Sequence, residues 1–402
     1  MTASSAEHVW CGCRRLVFLC GVLLLVIGAS GCATRPPARE FHRAVRALDE
    51  EGHSLRDVPF YAASDEQAHA AALAMITDYW QPPRRFSRFR PQWRAHRIDL
   101  AEPDGQLETY LRARALWGYW GTGRLEELKA RLRADVPVLV ALQEQPLDPT
   151  TLSPVVVAGY DDLRERVLLY GLGDAPVEMA YDEFLNRWRR AQYRFMSVCP
   201  PERVAWALTA PERVSRGRYY MAEGRYVSAA RDFEAALALD PAVARHYVEL
   251  ADAHLLQEEY GEAESLYRAA LALDEFNARA MNNLAYALLY GGGDLAEAMR
   301  WARNATALEP DNPRLLDTLG VVLHRTGEYR EAARMLERAR TRAMQMDGET
   351  QAVIALHLVR VYHDDDLWHL ARQTLADALT HHPALEVPSE FRIHLRPGQQ
   401  VR

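Results

Sequence analysis

Between about residues 211 and 383, small residues return at a nearly fixed interval, and this interval constrains the fold more than any other feature of the chain. Gly217, Ala251, Ala285 and Gly320 are separated by 34, 34 and 35 residues. Ala229, Ala263, Ala298 and Ala332 step by 34, 35 and 34, and Ala236, Ala270, Ala305 and Ala339 keep the same steps. In each unit the first small residue lies 12 or 13 before the second, and the second lies 7 before the third. Three series in phase mark a stack of identical supersecondary units, with small residues where two antiparallel helices must approach closely.

Bulky residues keep the same phase. The first unit carries Tyr220, Gly224, Tyr226, Phe233 and Pro241, and the second Tyr247, Leu250 and Tyr267. The third places an extra residue in the run Gly291 to Gly293, expected in its inter-helix turn, and closes on Pro310. Leu319, Gly327 and Tyr329 mark the fourth. A looser fifth unit runs from about 351 to Pro383, with Ala371, Leu375 and Ala378 in step, as a terminal capping repeat would. This pattern resembles the tetratricopeptide repeat. The resemblance implies an all-α solenoid with a concave groove that binds a protein or peptide. Most of the small and aromatic positions are then packing positions, and only inward-facing residues of each first helix can meet a ligand. By phase these include Arg245, Asp252, Arg279, Asn282, Asn283, Tyr286, Arg314, Asp317 and His324. Arginine clamps carboxylates, and paired asparagines offer both donor and acceptor to an extended backbone. A plain solvated groove is the alternative.

At 402 residues the chain has room for two or three domains, and 49% hydrophobic with 26% charged residues is an ordinary globular balance. A net charge of −7 argues against a nucleic-acid binder. Arg14 and Arg15 precede an apolar run from Leu16 to Ala29 that ends in Ser30, Gly31 and Cys32. This order is that of an export signal, and the run is shorter than the roughly 20 residues a spanning helix needs. Ala29-Ser30-Gly31-Cys32 resembles a bacterial lipobox. That resemblance implies a signal peptide over 1–31, lipidation of Cys32, a tether through about residue 55 and an outer-membrane lipoprotein facing the periplasm. An uncleaved anchor is the alternative, and it also places the body outside the cytoplasm. Cys11, Cys13 and Cys20 would leave with the signal, so Cys199 stands as a lone, buried thiol beside Pro200-Pro201.

Between about 56 and 202 the pattern is mixed. Glu66 to Trp80 and Leu125 to Leu132 have helical spacing, Val136 to Leu142, Val155 to Tyr160 and Arg166 to Tyr170 read as strands, and Asp182 to Arg189 as another helix. Val58-Pro59-Phe60-Tyr61, Ala71-Ala72-Leu73-Ala74-Met75, Val136-Pro137-Val138-Leu139-Val140 and Gly159-Tyr160-Asp161 follow in an order that resembles the papain-like cysteine peptidases of the bacteriocin-processing type. That family needs a cysteine at the N-terminus of the first helix and a histidine before the Gly-Tyr-Asp strand. Here those places hold Ala68 and Ser153, with Gly171 at the orienting position, so the resemblance implies a degenerate enzyme. A rebuilt hydrolase would draw on His69, Ser64, Ser153, Asp161 or Asp174, yet no serine sits in a Gly-x-Ser-x-Gly elbow.

Arg84 to Arg97 interleave arginines with Phe86, Phe89 and Trp93, suiting an anionic partner or a solvated loop. His363-Asp364-Asp365-Asp366 with His369 has no metal-ligand spacing and reads as a charged turn. The expected architecture is an α+β papain-like domain over 56–202, a tetratricopeptide solenoid of about five units over 203–383 and a tail over 384–402. No cofactor and no metal is implied. The function implied is a membrane-anchored scaffold; a hydrolase with a relocated nucleophile, or an accessory factor in envelope polymer or protein export, is the alternative.

Overall fold

The computed structural model describes residues 36–46, 51–61, 68–81, 105–144 and 152–394. The chain divides into two compact units, Met1–Ala207 and Leu208–Arg402.

The first unit is built on an antiparallel sheet. Its strands are β1 (Gly52–Ser54), β2 (Trp117–Thr122), β3 (Val138–Gln143), β4 (Leu152–Asp161), β5 (Arg166–Tyr170), β6 (Val177–Ala180) and β7 (Arg194–Cys199), ordered β2-β7-β3-β4-β5-β6 with β1 against β4. Val138 lies opposite Val157 on one side and Ser197 on the other, which places β3 in the middle of the sheet. Every residue of β3 is buried, as its unbroken apolar run requires when both faces are covered. The helices are α1 (Pro36–Val45), α2 (Ala68–Trp80), α3 (Gly105–Arg112), α4 (Leu125–Arg133) and α5 (Tyr181–Arg190). Helix α2 packs on β3, β4 and β7 through a face that includes Leu73 and Ile76. Each such side chain contributes about 1.5–3 kcal/mol on burial. The Trp80 indole N–H donates to the Val198 carbonyl at 2.7 Å, and that of Trp188 to the Arg194 carbonyl at 2.8 Å.

Two segments depart from expectation. Much of the stretch expected as a tether forms α1, because Ala38, Phe41 and Val45 fall on one helical face and are buried in the sheet's core. Gly159 shows why: a Cβ there would come within 2.9 Å of both the His53 carbonyl and the Phe41 ring. Strands β1, β2 and β6 complete the sheet, and the apolar run Phe195 to Val198, which reads as a strand ahead of Pro200-Pro201, forms most of β7. The lipobox and Cys32, Ser64 and the arginine-aromatic stretch lie outside the described residues.

The second unit is five helical hairpins. They pair α6 (Ala210–Ala222) with α7 (Tyr226–Leu239), α8 (Ala244–Leu255) with α9 (Tyr260–Leu273), and α10 (Ala278–Tyr290) with α11 (Leu295–Leu308). The last two pair α12 (Pro313–Arg325) with α13 (Tyr329–Arg342), and α14 (Gly348–Asp364) with α15 (Trp368–His381). Ala251, Ala263, Ala285, Ala298, Ala305, Ala332 and Ala339 are wholly buried at the helix contacts. A Cβ on Gly320 would sit 2.5 Å from Leu336 Cγ, and one on Gly217 would overlap the Phe233 ring. The third unit's extra residue falls in its turn: Gly292 takes a φ of +75°, and Asp294 caps α11 by accepting the Ala296 N–H. Part of the expected tail is packed, with Val387 and Phe391 buried in the solenoid core and Glu390 paired to Arg360 at 2.7 Å.

Overpacking one of these contacts separates the helices it joins. Gly320→Val is expected to cost about 2 kcal/mol, as added methyls in a filled core do. The cost is measured as a lower urea midpoint of helical circular dichroism, with Gly261→Val, where nothing lies within 4 Å of the added carbon, as the milder reference.

Candidate functional site

The first helices α6, α8, α10, α12 and α14 pack against one another as well as against their hairpin partners, and so line one face of the solenoid. Polar side chains on this face join neighbouring helices. Arg218 on α6 reaches Glu249 on α8 at 2.5 Å, and Arg279 on α10 pairs with Asp252 on α8. Further along, His357 on α14 meets Asp317 on α12 at 2.8 Å, and His324 on α12 meets Asp364 on α14 at 2.7 Å. Between α10 and α12 there is no ion pair among the described residues.

Asp252 organises the middle of the face. Its carboxylate accepts from the Tyr267 hydroxyl at 2.5 Å and from Asn283 Nδ2 at 2.8 Å, besides the Arg279 guanidinium. Burial pushes the Asp252 carboxyl above its ordinary range, against the opposing pull of Arg279 and of the Tyr267 and Asn283 hydrogen bonds. The Tyr267 hydroxyl is likewise driven far up, first by burial and then by the adjacent Asp252 charge.

This carboxylate sets the orientation of two amides. A carboxylate only accepts, so Asn283 must turn its NH₂ toward Asp252 and its oxygen away. Asn282 then presents its own NH₂ to Asn283 Oδ1, at 3.1 Å. The consequence falls on Asn282 Oδ1, which is buried and has no hydrogen-bond partner. Asn282 is 8% exposed and lines a cleft of ≈ 540 Å³. An orphaned buried acceptor costs about 1–3 kcal/mol unless a donor reaches it. The rest of the cleft comes from Arg314, Asp317 and Thr318 on α12, from Asp347, which caps α14, and from Glu349, Thr350, Val353 and Ile354 in its first turns. On the same helix as Asn282 the Tyr286 and Tyr290 rings lie 4.3 Å apart, tilted by 37°, and Tyr290 stacks on Tyr260 at 6.4 Å. Burial raises the Tyr286 hydroxyl to about 12, with the neighbouring Tyr290 and Tyr260 adding to the shift.

The residues chosen by phase therefore fall into three groups. Asp252, Arg279, Asn282 and Asn283 form one connected network, and Asn282, Arg314 and Asp317 share the cleft. Arg245 lies 3.7 Å from Glu249 and is largely exposed, while His324 serves the α12–α14 contact. Phase alone did not reveal Glu249, Thr318, His357, Asp347, Glu349 or Thr350. The signal that could have found Asp347 is its place as a helix cap: its carboxylate accepts from the Thr350 N–H at 2.8 Å and hydroxyl at 2.9 Å.

In the first unit, Ala68 opens α2 and Ser153 stands near the start of β4, its hydroxyl donating to Glu144 at 2.5 Å. Gly171 follows β5, close to the Pro154 carbonyl. Asp161 lies at the other end of β4, some 26 Å from Ser153 at a rise of about 3.3 Å per residue, and is bonded to Arg164 at 2.6 Å. Those two residues therefore do not form a catalytic pair. Cys199 is buried at the end of β7, opposite Trp117. His363 packs between Trp368 and Phe391, and no described residues are grouped to hold a metal.

The tetratricopeptide-repeat family matches residues 214–278 and 257–313, so the C-terminal region is a solenoid of tetratricopeptide repeats. No curated protein matches the chain. Among solved structures, pilF of Pseudomonas aeruginosa is 22% identical with a TM-score of 0.40, over 46% of this chain and 80% of that one. The APC/C hetero-tetramer Cut9–Hcn1 matches at 21% identity and a TM-score of 0.41, over 44% of this chain; the match spans only 34% of that chain. The second TPR domain of human RPAP3, in complex with the HSP70 peptide SGPTIEEVD, is 28% identical with a TM-score of 0.26, over 27% of this chain and 91% of that one.

Removing Arg279 takes the cation from a buried carboxylate that keeps its Tyr267 and Asn283 hydrogen bonds. Because the Arg279 side chain is 57% exposed and solvent screens the pair, Arg279→Met is expected to lower stability by about 1 kcal/mol at pH 7. Asp252 has its folded-state pKa raised, so it favours the folded state at low pH and this contribution is lost as pH rises through that pKa. The Arg279→Met deficit should therefore narrow toward pH 4, and Asp252→Asn added to Arg279→Met should remove most of it at pH 7. Urea midpoints at the two pH values check both.

Proposed function

We propose that this protein is an envelope-anchored adapter whose solenoid groove holds an extended peptide segment of a partner protein. The observation that carries this reading is the cleft of ≈ 540 Å³ on the face that the first helices share, where Asn282, Arg314 and Asp317 come together. Repeats that match the tetratricopeptide family support a role in protein–protein interaction.

The remaining parts of the proposal rest on sequence. Ala29-Ser30-Gly31-Cys32 after an apolar run supports lipidation of Cys32 and retention at the outer membrane, facing the periplasm. The order of motifs in the first unit supports a papain-like ancestry, and Ala68 and Ser153 at the nucleophile and base positions support a domain that has given up peptide cleavage. Its old cleft would then be a second surface for a polypeptide.

Two measurements test the proposal. Cross-linked capture from solubilised envelopes should recover a partner with the native chain and lose it with Asn282→Ala plus Asp317→Ala, while Arg303→Ala on α11 leaves capture intact. Equal capture by all three removes the groove from the function. Cys32→Ser should move the protein from the membrane to the soluble fraction and abolish incorporation of labelled palmitate; an unchanged distribution defeats the lipid anchor.

A further inference from the structure

Helix α1 occupies much of the stretch expected as a tether, and so shortens the link between the anchor and the first unit. It starts at Pro36, four residues beyond Cys32. Four peptide steps span at most about 14 Å, so acyl chains on Cys32 hold the start of α1 within that distance of their attachment point. We propose that the exposed face of α1 that carries Arg39, Arg43 and Arg46 docks on anionic phospholipid headgroups of the membrane holding the anchor. This rests on the lipidation of Cys32 proposed above and adds the surface through which the first unit meets the membrane.

At about 100° per residue, Arg39, Arg43 and Arg46 fall in one stripe about 60° wide. Arg46 keeps the helical phase, because its N–H donates to the His42 carbonyl. Ala38, Phe41 and Val45 lie on another face, buried in the core, and α1 packs on β1 and β6. Packing therefore fixes where the stripe points. All three arginines are exposed, and none has an ion pair among the described residues. Glu40, the acidic residue of α1, lies about 100° round the helix from Arg39. Arg56, in the loop after β1, brings a fourth cation close to Arg46. Burial first, then the charges of Arg56 and Arg46, hold the His42 imidazole below its ordinary range, against the opposing pull of Asp57. The β4–β5 turn lies beside the same helix: the Arg164 guanidinium rests 5.7 Å from the Phe41 ring centre, and the neighbouring Leu163 is 69% exposed.

The chain as a whole carries a net charge of −7, so attraction to an anionic surface has to come from a local basic face. Guanidinium forks match phosphate oxygens two at a time. Each arginine near an anionic bilayer raises partitioning about five-fold. Alone, three or four such contacts make a weak peripheral binder. With the chain already tethered at Cys32, encounter is intramolecular, and the same contacts are enough to select one orientation. A soluble acidic partner would have to enter the space beside the anchor, whereas headgroup phosphates are already there. An exposed leucine next to a basic face is also the pairing that suits a headgroup layer, where apolar side chains insert and cations stay at the phosphates.

The test uses the full lipidated chain in vesicles of phosphatidylcholine, with and without phosphatidylglycerol, and a nitroxide carried on the lipid headgroup. A bimane label goes on α1 through Glu40→Cys in every sample, and Cys199 is buried. Quenching of the label should be at least two-fold stronger in the anionic vesicles and should fall as salt rises. Arg39→Gln, Arg43→Gln and Arg46→Gln together should return it to the phosphatidylcholine level while the protein still floats with the vesicles. Arg303→Gln on α11 should leave it unchanged. The three α1 sites are exposed, so the urea midpoint of the triple variant should match that of the native chain. Equal quenching in the two vesicle types, or undiminished quenching in the triple variant, overturns the docking and leaves the anchor standing. A chain that floats with neither vesicle defeats the anchor, and the docking with it.

Discussion

The solenoid depends on how closely its helices approach. Gly217 against Phe233 and Gly320 against Leu336 leave no room for a single added carbon, and the wholly buried alanines repeat that contact along the array. Once hairpins close at that distance, each can bury its apolar faces only by stacking on its neighbours. Stacking places the first helices side by side, and their polar residues then decide what the groove can hold. The 34-residue interval is thus a packing constraint first and a functional one second.

On that inner face, pairing is used up unevenly. Arg218 with Glu249, Arg279 with Asp252, His357 with Asp317 and His324 with Asp364 tie adjacent first helices together. Their net energy is modest where one partner is exposed, because solvent screens the attraction and long side chains lose freedom. Their larger effect is on orientation. Asp252, held among Tyr267, Asn283 and Arg279, dictates which way two amides point, and the last acceptor in that chain, Asn282 Oδ1, is left buried without a partner.

Much of this was legible in the sequence. The phase of the small residues located every hairpin, put the extra glycine in a turn and brought Asn282, Arg314 and Asp317 to one face. Asp347, Glu349 and Thr350 escaped because they open α14 after an insertion that breaks the period. Glu249 escaped because its main partner, Arg218, is a whole repeat away. In the first unit, apolar runs identified β3, β4 and β5, whereas β2, with Gly118 and Gly121 among aromatics, carries no alternation to read. Helix α1 was obscured by composition: Pro and Arg suggest a tether, but Ala38, Phe41 and Val45 bury one stripe.

The most direct measurement is photo-cross-linking in living cells with benzoylphenylalanine at Val353, on the wall of the cleft, and in parallel at Arg303 on α11. A peptide-binding groove predicts one dominant adduct from position 353, whose cross-linked segment, identified by mass spectrometry, comes from one partner protein. An adduct from position 303 alone, or none from position 353, would contradict it.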